Sequence, residues 1–157
     1  MSAGPTVWVD ADACPRAVKE ILFRAADRRS VDVILVANST LGVPRTPRVK
    51  AVTVPKGFDA ADDYILEEAI PGDLVVTQDI PLGAALVEKG VAVTDPRGNE
   101  LDAENARQRL SMRDMMDELR STGAVTGGPS AFGDREKQAF ANTFDRMLTR
   151  LQREAGG

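Results

Sequence analysis

The stretch Thr6–Pro15, TVWVDADACP, decides the fold: four apolar or β-branched residues run straight into a carboxylate, and Pro15 then opens a helical pattern. A strand that is apolar almost throughout is covered on both faces, as in a parallel sheet flanked by helices. Asp10 then falls at the C-terminal end of a strand. Ligand sites of parallel α/β sheets gather at those ends, because the loops leaving them converge.

Outward from this stretch, further short apolar or β-branched runs read as strands: VDVILVA (31–37), VKAVTV (49–54), DLVVTQ (73–78) and VAVTD (91–95). Between the first two, Ala17, Val18, Ile21, Leu22 and Ala25 form one helical stripe, with Pro15 at a position favoured for helix starts. Helical patterns also cover Ala60 to Ala69, ended by Pro71-Gly72, and Pro81 to Glu88, ended by Gly90. Asn38 to Arg48, with Gly42, Pro44 and Pro47, is a loop leading to a third strand whose direction the pattern does not give. After Asp95 come a long helix over Ala103–Arg120, a Gly/Pro-rich loop over Gly123–Gly133 and a last helix over Asp134–Leu151. The expected architecture is a three-layer α/β/α sandwich with a mostly parallel five-stranded sheet. It forms one domain over residues 1–157, in which 101–157 is a helical C-terminal extension that could pack on the sheet, cover the site or mediate a homodimer.

Composition narrows the chemistry. The 157 residues contain no histidine, which removes Ser-His-Asp and Cys-His nucleophile systems, HExxH zinc sites and imidazole acid/base catalysis. Catalysis, if present, must use carboxylates, a metal, lysine, cysteine or hydroxyls. One cysteine, Cys14, cannot form an internal disulfide, and no stretch has the roughly 20 apolar residues that span a bilayer. With no basic and apolar leader pattern at its start, the chain is expected in the cytosol, without a membrane partner. The net charge of −4 is uneven: residues 1–96 hold 10 basic and 14 acidic groups, and 97–157 hold 10 of each. Such a chain does not coat nucleic acid by bulk electrostatics, so RNA binding would need local patches.

The surplus acid sits at strand ends. The first strand delivers Asp10 and Asp12, the second Asn38 and Ser39, the fourth Thr77, Gln78 and Asp79, and the fifth Asp95 with Arg97. Asp62 and Asp63 lie near the start of the second helix, at the same edge. Oxygen ligands from several loops suit Mg²⁺ or Mn²⁺, and clustered carboxylates imply a bound cation or a shared proton. Asp10, Asp62, Asp63, Asp79 and Asp95 are therefore the candidate metal ligands, and Asp10, Asp12 and Asp79 the candidate catalytic acids. Asn38, Ser39, Thr77, Gln78 and Arg97 are candidate substrate contacts. Structural roles compete: Asp59, Asp73, Asp102 and Asp134 read as helix caps or turn residues, and Asp12 and Asp79 could cap the helices that follow them. Cys14, at a helix start, is either a reactive thiol or inert packing. Arg45, Arg48, Lys50 and Lys56 could touch a phosphate backbone or simply guard an edge strand.

Seven stretches in this order, WVDADACP, VANS, KGFDAADDYI, GDLVVTQDIPLG, DPRGNEL, TGGP and DREKQAFANTFDRML, resemble the bacterial YaiI/YqxD family over nearly the whole chain. That family in turn resembles PIN-like domains. The resemblance implies a parallel sheet in the order 3-2-1-4-5 and acids that bind Mg²⁺ or Mn²⁺ to hydrolyse a phosphodiester, RNA above all. In it Asp10 is the first acid, Asp62 or Asp63 the helix-borne one, Asp79 the later strand-end one, and Asp95 an accessory. Asp12 and Cys14 have no counterpart in the general PIN pattern. Two other readings stay open: a haloacid-dehalogenase-like phosphatase with Asp10 as nucleophile and Asp12 as general acid, and a non-catalytic metal- or RNA-binding module.

Overall fold

In a sheet covered on both faces, alternate residues of each strand must feed two separate cores. β1 (Thr6–Asp10) does this in its three central residues: Val7 and Val9 enter one apolar cluster and Trp8 the other. β2 (Asp32–Ala37) and β4 (Leu74–Val76) repeat the alternation, sending Val33, Leu35, Leu74 and Val76 to the first cluster and Val36 and Val75 to the second. The computed structural model describes residues 4–57, 59–123 and 131–156, and most of the Gly/Pro-rich loop, including TGGP, lies outside them.

Among the described residues one sheet has the order β3-β2-β1-β4-β5-β6, with β3 at Val49–Thr53, β5 at Ala92–Thr94 and β6 at Glu100–Leu101. The first five strands are parallel and follow the expected order, with β3 joining β2 at the edge. The sheet has six strands and not five: β6 pairs antiparallel with β5, Val93 opposite Leu101. Two residues are too short to display alternation, so this strand leaves no periodic signal in the sequence.

The first core is closed by α1 (Arg16–Arg28) through Val18, Leu22 and Ala26, and by α5 (Asp134–Gly156) through Phe140, Phe144, Met147, Leu148 and Leu151. Phe140 and Met147 are fully buried, and truncating a buried Phe to Ala costs about 3–5 kcal/mol, so α5 is an integral layer of the sandwich. The second core is covered by α2 (Ala60–Glu68), α3 (Ile80–Lys89) and α4 (Ala103–Ser121) through Ile65, Leu82, Leu86 and Ala106.

Polar groups hold this frame at both ends. At the N-terminal edge Asp73, 6% exposed, accepts from the Thr6 and Ile70 amides and from the Trp8 indole at 3.0–3.1 Å. A buried carboxylate with three donors is satisfied where a lone one would be costly. Asp102 caps α4 in a reciprocal box with Asn105. Arg48 bonds Ser30 O and pairs with Asp32, so part of the basic stretch is engaged in the loop leading to β3.

Candidate active site

The C-terminal ends of β1 and β4 are adjacent, and a single buried hydroxyl ties them together. Thr77, 4% exposed, donates from Oγ1 to Asp10 Oδ2 at 3.0 Å and accepts the Asp79 amide at 3.0 Å. Asp79 in turn caps α3, accepting the Leu82 amide at 2.9 Å, with Pro81 in the first turn where a missing N–H costs nothing. The second carboxylate of the cluster is therefore fixed by the backbone it terminates.

The helix-borne acid is Asp62. It lies in the first turn of α2, and its carboxyl is within hydrogen-bonding reach of Asp79. Burial, the hydrogen bond to Asp79 and the charges of Asp79, Asp10 and Asp59 push the Asp62 carboxyl up to about 7. Asp10 is raised as well, by burial first and by Asp79 and Asp12, against the opposing pull of the Thr77 hydroxyl. Burial and the neighbouring carboxylates thus favour the protonated form of Asp62, the behaviour of like charges gathered without a counter-ion.

Other residues named from the sequence lie around this core in different ways. Asp12, in a 3-10 turn over Ala11–Ala13, accepts the Asn38 amide at 2.9 Å and ties the end of β1 to the end of β2. It does not cap α1, whose N-cap Pro15 receives no side-chain bond. Asn38 Oδ1 is buried without a hydrogen-bond partner, while Ser39 is exposed beside it. Gln78 donates to Ala13 O at 2.7 Å, closing the 3-10 turn against the end of β4. Asp63 is exposed and is not among the charges acting on Asp10 or Asp62.

Asp95 serves the turn between β5 and β6: Oδ1 accepts the Arg97 and Asn99 amides and Oδ2 the Asn99 side chain. Arg97 stacks its guanidinium 5.8 Å from the Phe132 ring centroid. Cys14 is 8% exposed, and burial, opposed by Lys19, pushes its thiol up to about 12, so it sits as packing. The buried Thr77 bridge and the orphan Asn38 oxygen are features that residue type alone does not announce.

Among the described residues no three acidic or sulfur side chains already stand together as ligands of one ion. The donor set nevertheless fits a hard cation: the groups are all oxygen, and Mg²⁺ takes as few as one or two carboxylates and completes its octahedron with water. A cation's charge at this edge would relieve the carboxylate crowding that raises Asp62 and Asp10.

An α/β/α sandwich with acids at the C-terminal edge of its parallel strands is the class that fold and site define. The particular family follows from comparison: residues 8–150 match the family described as "Uncharacterized BCR, YaiI/YqxD family", and the chain belongs to it. A UPF0178 protein of Pseudomonas fluorescens is 54% identical over 95% of this chain and 99% of its own length. A UPF0178 protein of Saccharophagus degradans is 56% identical over 92% and 95%. A third, from Bordetella petrii, is 55% identical over 90% and 95%. No solved structure matches the chain.

Proposed function

We propose that the protein is a metal-dependent phosphodiesterase, with RNA as the favoured substrate, working at Asp10, Asp62 and Asp79. The observation that carries this reading is the convergence of three carboxylates from three elements, the end of β1, the start of α2 and the cap of α3, at one edge. The family's resemblance to PIN-like domains implies the same task for acids at these elements.

Bound Mg²⁺ or Mn²⁺ would supply an activated water and neutralise charge on the scissile phosphate. The chain's own contribution is positioning. Thr77 fixes Asp10 and the backbone of Asp79, α3 fixes the Asp79 carboxylate, and Asp62 can hold or release a proton near neutral pH. Asn38, whose Oδ1 is buried without a partner, offers an acceptor at the end of β2 for a water or a substrate hydroxyl.

The phosphatase alternative is less well supported. It wants a free general acid at Asp12, whose Oδ2 instead accepts the Asn38 amide. It also wants a lysine near the acids, whereas Lys89 donates to Leu66 O and Glu67 O at the end of α2. The test is hydrolysis of a panel of RNA, DNA and small phosphoesters by wild type and Asp10→Asn, with and without Mn²⁺. Metal-dependent RNA cleavage lost in the variant is expected. Retained RNA binding without turnover would favour a binding module, and a phosphoaspartate trapped at Asp10 would favour the phosphatase.

A further inference from the structure

α1 and α5 lie on the same face of the sheet, and between them runs a cleft of about 480 Å³. It is separate from the acids. α1 starts at Arg16, just after the strand-end turn, and the cleft is reached about 8 Å further along it, at Ile21. Asp62 and Asp79 sit on or at helices of the opposite face.

The floor of the cleft is apolar, with Ile21 and Phe144 among its walls. Its rim carries four cations, Arg24 and Arg28 from α1, Arg29 at the cap that ends it and Lys137 from α5, against two carboxylates. One carboxylate is already taken. Arg29 pairs with Asp145 at 2.6 Å and also reaches Thr149 and Gln152, so it clamps the two helices together. The side chains of Arg24, Arg28 and Lys137 have no hydrogen bond or ion pair among the described residues. In a chain of net charge −4, three unpaired cations have been collected around one concave, apolar-floored surface.

We propose that this cleft binds a small phosphomonoester with an apolar or planar body, of mononucleotide size. The volume falls within the roughly 300–1,000 Å³ of small-molecule sites, which pair apolar walls with a few placed polar groups. Two arginines one helical turn apart and a lysine on the facing helix suit a dianionic phosphate better than a singly charged carboxylate. A nucleic-acid strand fits less well: Asp134 also lines the cleft and would repel a continuing run of phosphates.

The site stands independently of the proposed hydrolysis, and its test keeps the two apart. AMP, adenosine and inorganic phosphate are titrated into the whole protein at constant ionic strength, following amide NMR shifts and the unfolding midpoint. AMP should move resonances of α1 and α5 saturably and raise the midpoint, and adenosine should bind at least tenfold more weakly. Arg24→Gln with Arg28→Gln should weaken AMP roughly tenfold or more, as loss of charge-assisted bonds does, with the ligand-free midpoint unchanged. Lys137→Gln, on the other helix, should weaken it too, and Asp10→Asn should bind AMP as wild type does. The proposal is overturned by any of four results: no saturable shift at millimolar AMP, equal affinity in the cleft variants, shifts confined to the acid edge, or an oligonucleotide that outcompetes AMP in the cleft.

Discussion

Asp62→Asn should make the protein more stable at neutral pH while removing part of its pH dependence. The wild-type carboxyl is raised from 3.8 to about 7 in the folded protein. Below about pH 3.8 both folded and unfolded chains hold this proton. Between about 3.8 and about 7 the folded chain alone holds it, so stability falls as pH rises through that window, and above it the penalty is complete. The full shift corresponds to about 4 kcal/mol, but Asp62 is only partly buried and solvent screens it, so about 1–2 kcal/mol is expected. Asn keeps the shape, can still donate to Asp79, and carries no charge to repel Asp10. Urea unfolding followed by the single tryptophan, Trp8, measures the difference at several pH values between about 4.5 and 8. The variant should match wild type at the acid end and exceed it by that amount at the alkaline end. A difference that stays flat across the range, or an Asn variant less stable at about pH 8, would refute a raised Asp62 carboxyl.

Three further outcomes follow from particular contacts. Thr77→Val removes the hydroxyl between Asp10 and the Asp79 amide and should cost about 1–3 kcal/mol by urea unfolding, with the proposed metal-dependent hydrolysis falling alongside. Gly98→Ala should cost about 2–4 kcal/mol, because Gly98 has φ +86° and an added Cβ would lie 2.5 Å from Ala139 O; thermal unfolding checks it, and a wild-type midpoint would contradict the packing of α5 on the β5–β6 turn. Cys14 should react with a disulfide reagent far more slowly than a free thiol at pH 8 and reach full reactivity only in denaturant, since its thiol is buried and pushed up to about 12.

Much of the fold was legible because its signals are local. Val7, Trp8 and Val9 in one run mean a strand buried on both faces, and Pro71-Gly72 and Gly90 end the helices before them. β6 was not legible, because its two residues owe their pairing to the Asp95–Asn99 turn. Nor does the sequence choose between Asp62 and Asp63. Both follow Asp59 in an ordinary first turn, and only the packing of α2 half-buries one and exposes the other. Asp12 and Asp79 both precede a helix and both read as possible caps, yet Asp79 caps α3 while Asp12 reaches across to β2. That distinction lies in tertiary structure, where a neighbouring strand offers a free amide.

The most direct test of the central claim is to locate a metal. Crystals grown or soaked in Mn²⁺ and measured at its absorption edge should show one anomalous peak at the C-terminal edge of β1 and β4, with oxygens of Asp79 and of Asp10 or Asp62 within roughly 2.0–2.3 Å. A saturating soak that leaves this edge without a peak, or places the ion away from all three carboxylates, would contradict the assignment.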